Sequence, residues 1–138
     1  MAATKPRRII NEGPLPESVR IPAGVGNLYP GTIGCTDSTG NMFDGADTAG
    51  FRVAGILEGG GAFTVAASDN IPVYPGGRVK LKNSSTYPLT KADENQYCYL
   101  EDNETVARRT DHMVQVGLVK RVDTDGVLVE VLAAAVRP

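Results

Sequence analysis

Glycine and proline interrupt this chain so often that no long stretch keeps a helical period. There are 16 glycines and 9 prolines in 138 residues. Between these interruptions the apolar residues alternate or run in short blocks. That pattern predicts an all-β domain, a small and mostly antiparallel β barrel or sandwich with many tight turns. The length suits one domain with a tail, and it can bury a core without a disulfide or metal staple. Tryptophan is absent and aromatics make up only 6%. The core must therefore be Val, Ile, Leu and Ala with a few Tyr and Phe, and the β-branched members suit a pleated surface.

The clearest hairpin lies near the C-terminal end. Residues 113–122 and 127–132 flank the turn Asp123-Thr124-Asp125-Gly126. Residues 29–35 read as a strand in which Gly31 and Gly34 leave room for close backbone approach or a bulge. Asp37-Ser38-Thr39-Gly40 is turn chemistry, and residues 46–50 form a polar corner. Residues 51–57 are the next strand. Gly59-Gly60-Gly61 breaks it, and residues 62–66 offer it a possible partner. No Lys-Ser/Thr follows the glycine triplet and no helix opens after it, so it reads as a turn and not a phosphate loop.

Residues 68–77, with Pro72 and Pro75, read as a loop. Arg78-Val79-Lys80-Leu81-Lys82 alternates strictly. It predicts a half-exposed strand with one basic face, used either to contact a partner or to protect an edge with lysine. Thr90 with Asp93 three residues on predicts an N-cap and one short helix near residues 90–95. Residues 96–100 read as a strand that turns at Asp102-Asn103. A weak internal echo places glycine inside a strand in both Val53-Ala54-Gly55-Ile56 and Val116-Gly117-Leu118-Val119.

Residues 1–17 read as an extended N-terminal arm and residues 18–138 as a barrel-like body. Pro6, Pro14 and Pro16 prevent a regular helix or central strand in the arm. Ile9 and Ile10 give it apolar content that a plain linker lacks. Val19, Arg20 and Ile21 then alternate and start the body as an edge strand. Lys5, Arg7, Arg8 and Arg20 against Glu12 and Glu17 give residues 1–20 a charge of +2, which leaves -4 for the rest of a chain whose net charge is -2. This charge split reads either as a plain solvated, disordered start, which charge alone favours, or as a basic tail that an acidic surface would attract.

Residues able to carry chemistry are scattered. Cys35 and Cys98 sit in apolar strand contexts and read as buried reduced thiols, and the sequence leaves open whether they meet. His112, the only histidine, falls in a polar loop with no nucleophile beside it. One His and two distant Cys give no ligand pair at zinc spacing. Asp44/Asp47, Asp93/Glu94, Glu101/Asp102/Glu104 and Asp123/Asp125 all lie at turns. Asp123-Thr124-Asp125-Gly126 begins like a calcium loop, but Ala134 stands where the closing glutamate belongs. Arg108-Arg109 and Lys120-Arg121 lack the aromatic neighbours of a nucleic-acid platform. The chain shows no apolar leader and no apolar run of membrane length. The expectation is a protein that is not an enzyme, with no cofactor, metal, nucleic acid or membrane partner, made and kept in a cytoplasm until something carries it out.

One resemblance goes further. The order Ile21-Pro22-Ala23-Gly24, Tyr29-Pro30-Gly31-Thr32-Ile33-Gly34, Asp37-Ser38-Thr39-Gly40 and Ala46-Asp47-Thr48-Ala49-Gly50-Phe51-Arg52-Val53-Ala54-Gly55-Ile56 is followed by Pro88-Leu89-Thr90, Cys98-Tyr99-Leu100, Val116-Gly117-Leu118-Val119 and Asp125-Gly126-Val127-Leu128-Val129-Glu130-Val131. Over residues 18–132 this order resembles the capsid cement, or head decoration, proteins of tailed bacteriophages. The resemblance implies a structural virion protein that binds the outer capsid surface and reinforces contacts between capsomers. It implies the major capsid protein lattice as partner and a homo-trimer on the shell. Arg7, Arg8, Ile9, Ile10, Leu15, Val19, Arg20 and Ile21 are then the candidate capsid-binding residues. Family members often begin nearer Ile21-Pro22-Ala23-Gly24, so the arm departs from the pattern. The alternative is a virion surface module for host adsorption or carbohydrate binding, although few aromatics are available to stack on sugars.

Overall fold

A computed structural model describes residues 19–22, 24, 26–57, 63–65 and 70–132. They form strands β1 (Val19–Pro22), β2 (Gly26–Leu28), β3 (Ile33–Thr36), β4 (Met42–Asp44), β5 (Arg52–Leu57), β6 (Phe63–Val65), β7 (Asn70–Tyr74), β8 (Gly76–Asn83), β9 (Tyr97–Asp102), β10 (Thr105–Ala107), β11 (Gln115–Asp123) and β12 (Gly126–Leu132). One turn of 3-10 helix, Lys91–Asp93, is the only helical piece among them. The domain is all-β. Five strands in the order β10-β8-β12-β11-β9 close into a barrel, β1-β7-β5-β3-β4 make an open sheet, and β2 pairs with β6.

Turn chemistry explains the local pieces. Gly126 (φ +157°) ends the two-residue loop between β11 and β12, in register Asp123 with Gly126 and Val122 with Val127. Asp37 accepts the Gly40 amide on its carbonyl at 3.0 Å and the Thr39 amide on its carboxylate at 2.9 Å, which folds β3 back into β4. The Thr90 amide donates to Asp93 Oδ2 at 2.8 Å, and the Asp93 amide donates to the Thr90 carbonyl at 2.9 Å. That reciprocal pair holds the single helical turn at its expected place.

A barrel of so few strands must bend sharply, and β-bulges supply the bending. Register shifts insert Glu101 into β9 against β10, Val116 into β11 against β9, and Lys120 into β11 against β12. A further shift inserts Ala54 into β5 against β3. The two glycines of the internal echo both sit at bulges. A Cβ on Gly55 would fall on the Tyr74 carbonyl, and one on Gly117 on the Glu130 carbonyl. The echo is thus a shared solution to close backbone approach, not a repeat.

The open sheet is buried on both faces, so β5 reads as a continuous apolar run. Ile33, Cys35, Val53 and Ile56 face the barrel and join Val79, Leu81, Leu100, Val116, Val119, Val127, Val129 and Val131 in one core. On the other face Met42, Ala54, Leu57, Ile71 and Val73 pack with Leu28 of β2. Each fully buried Val, Leu or Ile contributes about 1.5–3 kcal/mol of hydrophobic stabilisation. One core shared between barrel and sheet makes the body a single folding unit.

Four expectations need correction. Residues 62–66 do not partner residues 51–57: β6 pairs with β2, because β3 and β7 already occupy both flanks of β5. Residues 29–35 are strand only from Ile33. Before it a turn is closed by the Thr32 hydroxyl donating to the Tyr29 carbonyl at 2.6 Å, with Gly31 at φ +84°. Residues 68–77 are not simply a loop, since β7 runs through Pro72. The proline stands opposite Arg20 of the outermost strand, and the β5 ladder pairs only Val73 and Tyr74, so its missing N–H breaks no β5 bond. Finally, β8 is not an edge to be guarded by lysine, because it lies between β10 and β12. The three-residue strand β10 was not expected at all. The Gly59-Gly60-Gly61 turn and the arm of residues 1–17 lie outside the described residues.

Candidate functional site

Of the residues expected to meet a partner, Arg7, Arg8, Ile9, Ile10 and Leu15 lie outside the described residues. Val19, Arg20 and Ile21 form β1, which pairs antiparallel with β7. β1 ends its sheet, and among the described residues no strand lies along its other side. The expected edge strand is therefore an edge among the described residues, and in sequence it follows residues 1–17. Ile21 is half-buried against the Leu28, Met42 and Ile71 cluster, so its side chain also serves the internal core.

The chain leaving β1 is pinned to the opposite edge of the same sheet. The Gly24 amide donates to the Met42 carbonyl of β4 at 2.7 Å. A Cβ at Gly24 would collide with the Phe43 ring, and that ring stacks on Phe51 with centroids 6.0 Å apart and planes 15° from parallel. Only glycine lets the main chain lie this close to the ring.

A polar seam joins sheet to barrel along residues 44–47. The Ile33 amide donates to the Asn103 carbonyl at 2.8 Å, and the Gly45 amide to the Ile33 carbonyl at 3.0 Å. Asn103 Nδ2 donates to Asp44 Oδ1 at 2.9 Å, and Ala46 bridges to Asp102. Burial pushes the Asp44 carboxyl above its ordinary range, opposed by the Asn103 hydrogen bond and reinforced by the nearby Asp102 charge. Asp47 reaches further, into the loop between β10 and β11. Its Oδ2 accepts the Asp111 amide at 3.1 Å and its Oδ1 the His112 amide at 3.0 Å. His112 is exposed, as expected, and its Nδ1 lies 3.2 Å from the Asp47 carbonyl.

The loop so clamped, residues 108–114, presents Arg108, Arg109, Asp111, His112 and Met113 to solvent. Arg109 lies 4.7 Å over the Tyr87 ring. Met113 takes a left-handed conformation, φ +51°, and is 46% exposed. Sequence reasoning placed Met113 in a strand and read Arg108-Arg109 only as a basic pair and Asp47 only as a turn carboxylate. Nothing local marks a methionine for a left-handed site, and the partners of Asp47 lie 64 and 65 residues away.

The basic face of β8 is met by acids from its neighbours. Arg78 Nε lies 3.4 Å from Glu130, Lys82 Nζ 3.4 Å from Glu104, and Lys80 Nζ 2.6 Å from Asp125 and 3.2 Å from Asp123. The Arg121 hydrogen bond, aided by Lys80, holds Asp123 below the ordinary carboxylate range, and Lys80 does the same for Asp125. The two aspartates that begin like a calcium loop thus share a lysine ammonium across a hairpin turn.

Cys35 and Cys98 are free and buried, as expected. Desolvation pushes both thiols up to about 12, far from the thiolate a nucleophile requires. Among the described residues no three His, Cys, Asp or Glu side chains group so as to hold a metal ion. No helix there is long and apolar enough to cross a membrane. Comparison with models of known protein families, with curated proteins and with solved structures found no match in any of the three.

Proposed function

We propose that this chain is a structural clamp that binds the outer surface of a tailed-phage head and reinforces contacts between capsomers. The carrying observation is the position of β1. It continues directly from the basic, proline-punctuated residues 1–17, and it ends its sheet with one flank unpaired among the described residues. An extended arm leaving such an edge can add to a strand of a neighbour, with main-chain hydrogen bonds giving affinity and Ile9, Ile10 and Leu15 giving apolar grip. The body behind it is a closed barrel sharing its core with the sheet, a rigid base for a reaching arm. The resemblance over residues 18–132 supports the same reading. A clamp that binds only the assembled lattice stabilises it by mass action, and three copies around a local three-fold axis would gain avidity.

The test is co-sedimentation with undecorated heads. Deleting residues 2–17 should leave the melting transition of the body largely unchanged and weaken attachment. Undiminished attachment of the truncated protein moves the clamp onto the body, and failure of the full-length protein to bind heads sinks the reading. Tyr97, 48% exposed on β9, favours the adsorption alternative by offering one ring to a sugar. Glycan binding that is lost in Tyr97→Ala, without head binding, would decide for that alternative.

A further inference from the structure

We infer that the 108–114 loop is a pre-set docking knob for an acidic, apolar-socketed surface of the shell protein, with Met113 as its apolar contact and Arg108 and Arg109 as its charged contacts. The inference rests on the head-binding reading and names a second contact, on the body and separate from the arm.

A connection of this length is ordinarily the soft part of a β domain. This one is tied along its whole course. The Arg108 amide donates to the Tyr87 carbonyl at 3.0 Å. The Met113 amide donates to Thr110 Oγ1 at 3.1 Å, and the Thr110 amide approaches Met113 Sδ at 3.5 Å. Asp47 accepts the Asp111 and His112 amides between these points. Val114 closes the loop by accepting the Leu100 amide at 2.8 Å. A loop held this rigidly loses little conformational freedom when a partner lands on it.

The residue before its closing Val114 is not the one that its backbone favours. A left-handed turn is satisfied most cheaply by glycine or asparagine. Here a methionine occupies it, and the strain brings no burial, since Met113 and Tyr97 are the two large apolar side chains most exposed among the described residues. Strain retained by a non-glycine residue is a marker of function. Methionine is an adaptable apolar contact, and arginine is enriched at the centres of protein interfaces. The charge sets the partner. Residues 21–138 carry -4, and Arg108-Arg109 against Asp111 leaves this loop at +1. The Tyr87 ring under the Arg109 guanidinium fixes where that charge sits. An acidic rim around an apolar depression fits this display.

The experiment compares full-length wild type, Met113→Asn and Arg109→Glu for binding to undecorated heads, with thermal melting of each. Met113→Asn relieves the left-handed strain and should melt at or above wild type. Its dissociation constant should nevertheless rise on the order of tenfold, as for loss of an interface anchor. Arg109→Glu should weaken binding most at low salt. Wild-type binding with both variants undiminished overturns the knob and leaves the head reading intact. A lower melting temperature for Met113→Asn also overturns it, because the methionine would then serve the fold. No binding by wild type overturns the head reading and this contact together.

Discussion

Asn103 Nδ2 donates to Asp44 Oδ1 at 2.9 Å, joining the β9–β10 turn of the barrel to the last strand of the open sheet across 59 residues of chain. Asn103 is wholly buried. Because its donor is buried, losing this bond costs more than losing an exposed one.

The Asp44 carboxyl carries a pH dependence of definite sign. Burial raises its pKa, with Asp102 adding to the rise, so the folded state holds the proton more tightly than the unfolded chain. Stability from this group therefore falls as pH rises from the ordinary carboxylate value through the raised one, and the full cost is present at neutral pH. Asp44→Asn keeps an acceptor for Asn103 and removes the charge. It should melt at or above wild type at pH 7, with the difference closing as pH drops below the carboxylate range. A melting scan across pH checks this, and a clear loss at pH 7 would show that the charged acceptor is worth more than its burial costs.

Asp47→Ala should release the loop without unfolding the body. Two backbone amides lose a carboxylate acceptor on a partly exposed side chain, a cost of about 1–2 kcal/mol. Hydrogen exchange at Asp111 and His112 should accelerate, while Val119 and Val129 in the barrel core stay protected. Unchanged exchange at those two amides would mean that Asp47 does not hold the loop.

Val129→Asp tests the barrel. Val129 is fully buried, paired with Val119 on one side and Val79 on the other. A carboxylate there has no cation in the apolar core, and it would cost several kcal/mol or force protonation. Loss of the cooperative melting transition is expected. A variant that melts like wild type would place this side chain outside the core.

What the sequence disclosed followed from the range of the forces involved. The hairpin at Asp123–Gly126, the cap at Thr90, the alternation of Arg78–Lys82 and the buried cysteines depend on neighbours in sequence, and all were readable. So was the edge position of Val19–Ile21. Pro72 misled because proline normally ends a strand, and its tolerance rests on Arg20 of the outermost strand, 52 residues upstream. β10 offered only Thr105, Val106 and Ala107, too few to alternate. The pairing of β2 with β6 and the clamp of Asp47 on Asp111 were invisible, because neither partner carries a local mark of the other. In the candidate site, the edge strand was legible from the alternation of Val19, Arg20 and Ile21. The knob was not, since a left-handed methionine is a property of the assembled turn.

The seating of β12 between β8 and β11 also governs when the body can come into being. As the chain emerges from a ribosome, β8 is delivered long before Val127, Val129 and Val131, the residues it must pair beside. Until β12 is out, Val79 and Leu81 have no barrel to enter, and β9, β10 and β11 can form only an open, sticky ribbon. Closure is a late, long-range event of the kind that folds slowly and aggregates when delayed. Ribosome-bound chains with β12 still inside the exit tunnel should therefore be protease-sensitive, and emergence of Leu132 should convert them together into the resistant form.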